Sequence, residues 1–328
     1  MGINVRNLNI SLDCREQGSD INFVSHAHSD HTSGAGRGKK VLASKETIEL
    51  METRGKRGME HIQSLDSTSL INAGHVLGSK QLYAEPEELG ASILYSGDFQ
   101  MQAPSVAEPI ETRHADILII DSTYPDPSTH FPERGKVIEE ISGFISSQLD
   151  CGIVLFGAHS IGKAQELIRI ANDSGIIPIV DKGIHLVNQV YLRHGVELNY
   201  ASFYKDEEEL AQAVERNFIG ITTMSSLNKT AALLGSLYKK KVYTAVATGF
   251  ASTFNMRTYA QFVLSDHADF AQATEYIRKC SPSRIYTRGS QESALKFARN
   301  LSEAGFPAIP LPSPFLGDSA TNKAMLHL

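Results

Sequence analysis

The sequence predicts an α/β protein of two domains, and three observations carry that expectation. The chain has 328 residues, against roughly 100–200 per domain in globular proteins. Its first part alternates short apolar runs with turns, whereas beyond Arg134 runs of strand length alternate with segments of helical period. Its composition, 41% hydrophobic and 21% charged, is that of a soluble globular protein and excludes disordered and fibrous classes.

In the first part, strands are expected over Ile21–Ser25, Lys40–Ala43, Gln81–Ala84, Ser92–Tyr95 and Ile117–Ile120. After the Pro-rich turn Tyr124–Pro132 a helix is expected over Arg134–Gln148, then a strand over Ile153–Phe156 and a helix over Lys163–Asn172. A strand over Ile176–Val180 and helices over His185–His194 and Glu207–Arg216 follow. Phe218–Thr222, Leu227–Leu237 and Val242–Ala245 continue the alternation, the mark of βαβ units around a parallel sheet. The strand Gln261–Leu264 leads into Ser265-Asp266-His267-Ala268-Asp269, followed by a helix, the strand Arg284–Thr287 and a last helix over Glu292–Ala304.

Several classes are excluded. No apolar run approaches the ~20 residues needed to span a bilayer, and Asp13, Arg15 and Glu16 stand where a secretory signal has its apolar centre. A cytoplasmic location, without membrane association, is expected. Cys14, Cys151 and Cys280 are isolated and odd in number, which argues against a disulfide framework or a thiolate metal site. The net charge of −6 argues against a protein that coats duplex nucleic acid through a globally positive surface. Arg37, Lys39, Lys40, Lys45, Arg54, Lys56 and Arg57 form a basic stretch that reads equally as solvated surface or as a phosphate-contacting rim; Lys239, Lys240 and Lys241 read rather as surface.

The strongest chemical signal is Ser25-His26-Ala27-His28-Ser29-Asp30-His31, directly after an apolar strand. In extended chain, side chains two residues apart share a face, so His26 and His28 can reach one metal. Asp30 and His31 then fall where the chain turns, at an expected helix start, and can point to a neighbouring position about 3.5–4 Å away, the separation of a two-metal site. Imidazole and carboxylate ligands suit zinc, with manganese or iron as competitors. His159 and Lys163 lie before and at the start of an expected helix, and read equally as phosphate contacts or as exposed cap residues. Tyr124 and Phe131 read as base-stacking or as loop packing.

This cluster resembles the metallo-β-lactamase superfamily. Asn72-Ala73-Gly74-His75 is similar to the segment that supplies the superfamily's third histidine, and Tyr95-Ser96-Gly97-Asp98 to the one that supplies its bridging carboxylate. Asp13 resembles the early aspartate that supports the metal loop from behind. Ile120-Asp121-Ser122-Thr123-Tyr124 and Ser265-Asp266-His267-Ala268-Asp269 resemble motifs of the β-CASP nucleases. Gly162-Lys163-Ala164-Gln165-Glu166-Leu167 resembles a segment of compact members akin to DNA-ligase-associated and archaeal RNA-processing exonucleases. The resemblance implies an αββα sandwich over 1–128 and 259–328 with an inserted βαβ domain over 129–258. It implies metal ligation by His26, His28, Asp30, His31, His75 and Asp98. His267, held by Asp121, would serve as general acid for the leaving oxygen or donate a hydrogen bond to the phosphate, and Asp30 and Asp98 would orient the attacking water.

One departure matters. The family pattern places a further histidine at the end of the strand after His267, where this chain has Arg288. A guanidinium has no lone pair to donate, so the second metal site loses a ligand and one firm zinc site is expected. Either Arg288 replaces that cation and clamps a phosphate oxygen, or the site is degraded and the chain is a non-catalytic nucleic-acid-binding subunit. Retention of every other ligand position favours an enzyme. The expected activity is hydrolysis of DNA or RNA phosphodiesters, with a single strand or end as substrate in a groove between domains, exonucleolytic action, and a lean toward DNA. A metallohydrolase of small esters or thioesters is the remaining alternative; the long insertion between Asp121 and His267 weighs against it.

Overall fold

The computed structural model describes residues 3–5, 8–14, 19–202 and 216–311. The chain divides into two compact units, one of Met1–Ala103, Glu108–His130 and His267–Leu328, the other of Pro104–Ala107 and Phe131–Asp266.

The first unit contains two sheets. One runs in chain order through Ile3–Val5, Ile10–Leu12, Ile21–Phe23, Lys40–Leu42 and Glu60–Ile62, antiparallel in its first pair and parallel beyond. The other has the order Ala308–Pro310, Arg284–Arg288, Ile117–Asp121, Ile93–Tyr95, Lys80–Ala84, Thr68–Asn72. Side chains alternate across its pleat. Ile93, Tyr95, Ile117 and Ile119 pack against Ile10, Leu12, Phe23 and Leu42 of the first sheet. Leu94, Leu118 and Ile120 face the other way, against Tyr276, Ile277, Phe297 and Leu301 of helices Phe270–Cys280 and Gln291–Glu303. This is the layered α/β sandwich that the motifs imply. Asp269 and Ser290 start these two helices by accepting from the backbone N–H of Gln272 and Ser293.

Two local expectations change. No helix starts at Asp30; residues 26–31 form bends and a turn, with His31 N–H donating to the His28 carbonyl. An unanticipated helix covers Lys45–Thr53, a stretch whose sequence draws attention through its charges. Its signals were a Ser44 N-cap and the buried pair Ile48 and Met51 three residues apart.

The second unit is built on an all-parallel sheet in the order Ala201–Ser202, Ile179–Val180, Ile219–Thr223, Ile153–Ala158, Val242–Ala247, Ala260–Phe262. Ile153, Leu155, Ile179, Phe218, Leu227, Leu234 and Val246 form one of its cores. The helices Arg134–Leu149, Lys163–Asp173, Lys182–Arg193 and Leu227–Tyr238 accompany it. The strand expected from Ile176 shrinks to Ile179–Val180, because Pro178 has no N–H to give to a ladder. The helix expected from His185 begins earlier, at Lys182, where Asp181 accepts from Ile184 N–H. The helix expected over 207–216 lies, but for its last residue, outside the described residues. Among the described residues no helix is long and apolar enough to cross a membrane.

Ile119 is fully buried between the two sheets. Ile119→Ala is expected to cost roughly 2–5 kcal/mol of stability, read as a lower urea midpoint.

Candidate metal centre

The histidine loop begins where the parallel ladder ends: Val24 N–H donates to the Leu42 carbonyl, and Lys80 N–H to that of Ser25. Asp13, at the end of the neighbouring strand in a left-handed conformation, is buried beneath the loop. Its carboxylate accepts from Ser25 N–H at 2.7 Å, Ser25 Oγ at 2.6 Å, Tyr95 OH at 2.7 Å and His31 Nδ1 at 2.8 Å. Burial alone would raise the pKa of Asp13. The His31 charge and hydrogen bond, then Arg288 and Ser25, outweigh it and hold the carboxyl below its ordinary range.

Above this support the ring nitrogens converge. His26 Nε2 lies 3.0 Å from His28 Nδ1, and His75 Nε2 lies 3.2 Å from the same atom. Asp98 Oδ2 is 3.6 Å from His26 Nε2 and 3.9 Å from His75 Nε2. Because the loop bends rather than staying extended, His28 reaches inward with Nδ1 while His26 uses Nε2. The four donor atoms lie within 4.8 Å of one another, a nitrogen and oxygen set suited to zinc or a related divalent cation. Burial, then the neighbouring His31 and His75, push His26 well below 6.5, which leaves the neutral imidazole that coordinates metals.

Two glycines let these side chains approach. Gly74, before His75, has φ +73°, and a Cβ there would sit 2.4 Å from the Gln100 carbonyl oxygen. Gly97, before Asp98, has φ +55° and would place a Cβ 2.8 Å from Ser25 Cβ.

A second group adjoins the first through Asp98: with Asp121 and His267 it offers three ligand atoms within 4.8 Å. His267 Nδ1 is 3.2 Å from Asp121 Oδ2 and its Nε2 is 4.0 Å from Asp98 Oδ2. Asp121 is itself fixed by Thr123 N–H and Oγ1, while Gln100 Nε2 donates to the His267 carbonyl. Burial works against ionisation of Asp98, but His31, His267 and His26 prevail and keep it anionic. His31 sits between two carboxylates, Nδ1 on Asp13 and Nε2 3.2 Å from Asp98 Oδ2. Burial alone would lower its pKa; Asp98 and Asp13 raise it well above 6.5. Asp30 is largely exposed, with Oδ2 3.5 Å from His31 Nε2.

Arg288 pairs in register with Asp121 on the adjacent parallel strand. Its guanidinium carbon lies 5.3 Å from the Tyr95 ring centroid and Nη1 lies 4.0 Å from Asp13 Oδ2. The strand thus brings a cation, not a ligand, to the edge of the cluster.

Lys163 departs from its expected role. It is buried in the second unit, donating to Glu166 Oε2 at 2.7 Å and Asp266 Oδ1 at 2.8 Å, and Glu166 also pairs with Arg134. Gln165 likewise turns inward, to Ser160 and Asn188. An ammonium held by two carboxylates is not available to a phosphate, so this motif builds structure. His159 is exposed, and its carbonyl accepts from Ala164 N–H. Tyr124 is buried with its ring 6.1 Å from that of His267, so it packs rather than stacks. In the basic stretch, Arg54 donates to the Ala27 carbonyl and Lys56 to that of Thr32, bracing the histidine loop. Sequence reasoning missed these braces, and Tyr95 and Ser25 as partners of Asp13. His327, the one histidine that follows His267 in the sequence, lies outside the described residues.

No protein-family model matches the chain. A probable DNA ligase of Opitutus terrae is 31% identical over 302 residues, covering 87% of this chain and 28% of that protein. An RNase J-like protein of Methanocaldococcus jannaschii is 32% identical over 188 residues, 47% of this chain and 44% of the relative. The 5' exonuclease Apollo of Gallus gallus is 24% identical over 323 residues, 92% of this chain and 66% of the relative. The chain belongs to the β-CASP group of the metallo-β-lactamase superfamily. It spans between about a quarter and two thirds of the length of these relatives. The β-CASP chain also superposes on the crystal structure of a protein of unknown function from Enterococcus faecalis V583, with TM-score 0.61, 12% identity, and coverage of 89% and 79% of the two chains; this likeness concerns the fold alone.

The Asp13–His31 pair sets a pH dependence for the metal-free β-CASP chain. Asp13, with a depressed folded pKa, stabilises above its unfolded value of about 3.9 and loses this as pH falls through the folded value. His31, with a raised one, stabilises fully below about 6.5 and loses this as pH rises through its folded value. In chelator, the stability gap between wild type and Asp13→Asn is expected to be widest between about pH 4 and 6.5, measured by urea unfolding across pH.

Proposed function

We propose that the chain is a metal-dependent nuclease that hydrolyses phosphodiester bonds at the ends of single-stranded nucleic acid, DNA in preference to RNA. The observation that carries this reading is the convergence of His26, His28, His75 and Asp98 on one point, next to His267 supported by Asp121. The names of the similar proteins, among them a 5' exonuclease, an RNase J-like protein and a DNA cross-link repair protein of Mus musculus, support a nucleic-acid substrate. Cys14, Cys151 and Cys280 stand in no disulfide, which supports action in the reducing cytoplasm.

His26, His28, His75 and Asp98 would hold the cation, zinc foremost and manganese as alternative. Bound there, it would supply Lewis-acid activation of the phosphodiester and of the attacking water. Asp98, kept anionic, orients that water from one side. His267 would give its Nε2 proton to the leaving oxygen, with Asp121 on Nδ1 fixing the tautomer and stabilising the imidazolium. Arg288 contributes a permanent positive charge toward a non-bridging phosphate oxygen.

The test is cleavage of end-labelled single- and double-stranded DNA and RNA with zinc or manganese, alongside metal analysis. Activity lost to chelator and restored by metal, and reduced about 10²–10⁴-fold in His267→Gln, supports the reading; a wild type that cuts none of these substrates overturns it. Arg288→His is expected to raise metal content from about one ion per chain to about two. Unchanged stoichiometry would show that Arg288 does not stand at a ligand position.

A further inference from the structure

We propose that the second unit carries its own stacking surface for single-stranded nucleic acid, formed by Phe250, Phe254 and Tyr259 beside Lys241. The inference rests on the nucleic-acid reading above and extends it to a site away from the metal ligands in sequence.

Charge segregation is the first observation. Between Glu215 and Asp266 the sequence has no Asp or Glu, yet it holds Arg216, Lys229, Lys239, Lys240, Lys241 and Arg257, in a chain of net charge −6. Lys239, Lys241 and Arg257 are exposed. Such a tract attracts a polyanion locally although the whole protein is acidic.

Exposed aromatic rings within the tract are the second. Phe250 is 45% exposed, Phe254 61% and Tyr259 58%, where large aromatic side chains are ordinarily covered. Phe254 and Tyr259 line an open cavity of about 440 Å³, and Phe250 stands next to Phe254 with ring centroids 6.2 Å apart. The support beneath them is preformed. Gln261 Nε2 donates to the carbonyls of Ala251 and Phe254, and its Oε1 accepts from Met256 N–H, so one side chain fixes the loop. Tyr259 is seated edge-on against Tyr243 at 4.9 Å, and the Lys241 ammonium lies 4.5 Å and 5.6 Å from the two ring centroids.

Open ring faces next to cations match the needs of a single strand, whose bases stack and whose phosphates seek positive charge. A protein partner fits less well, because the centre of such an interface is depleted in charge.

The experiment uses the full chain in chelator, so that nothing is cut, and follows the fluorescence anisotropy of a labelled oligothymidylate. Phe254→Ala is expected to weaken binding about tenfold, and Phe250→Ala/Phe254→Ala further. Phe254→Trp should retain affinity while Phe254→Leu does not, a split that loss of packing cannot produce. Lys239→Gln and Lys241→Gln should each lower the slope of log affinity against log salt by about 0.7. Metal-loaded hydrolysis of bis(p-nitrophenyl) phosphate, which has no base to stack, should stay at the wild-type rate in all these variants. Wild type that fails to bind the oligonucleotide, or binding unchanged in the aromatic variants, overturns the surface and leaves the nuclease reading standing. Unchanged binding with loss of a dimer in light scattering overturns it in favour of a contact between copies. A wild type without phosphodiesterase activity, whose oligonucleotide binding is still lost in Phe254→Ala, upholds the surface and removes the nuclease.

Discussion

The arrangement depends on one buried carboxylate. Asp13 sits at a strand end with no access to water and would be costly there unless its oxygens were fully satisfied. They are satisfied by Ser25 and His31 of the histidine loop and by Tyr95 of the opposite sheet. The same hydrogen bonds that make the charge tolerable therefore fix where the loop leaves its strand. Removing the carboxylate would release a strand end, a sheet-to-sheet tie and an imidazole together.

That tie also sorts the histidines by charge. His26 and His31 are separated by a few residues and share a crowded site, but their surroundings drive them in opposite directions. His26 is enclosed among other imidazoles and stays neutral, whereas His31 bridges Asp13 and Asp98 and holds a proton in the metal-free protein. One loop thus presents a lone pair on one side and a hydrogen-bond donor on the other. The spacing of the motif supplies the imidazoles; the carboxylates around them decide what each one does.

Much of this was legible in the chain itself. Continuous apolar runs announced the strands Ile117–Asp121 and Ile153–Ala158, because a strand covered on both faces has no polar side to show. The His26–His31 cluster and the segments around His75, Asp98, Asp121 and His267 stood out because so many ligand-type residues beside strand ends need a reason. What stayed hidden was tertiary. Nothing local distinguishes Lys163 as a buried ion-pair partner of Asp266, since that pairing joins positions far apart in sequence. Tyr95 reads as an ordinary strand aromatic until its hydroxyl meets Asp13. Arg54 and Lys56 look like surface charge until the carbonyls of Ala27 and Thr32 appear beneath them. The helix Lys45–Thr53 was masked by the same charges, and the expected helix at Asp30 gave way to a turn that brings His31 back over Asp13.

Arg288 carries a last consequence. A guanidinium is encoded by the gene, cannot be stripped by scarcity of trace elements, and does not exchange for a competing ion. Positive charge at that corner is therefore constant whatever the supply of transition metals.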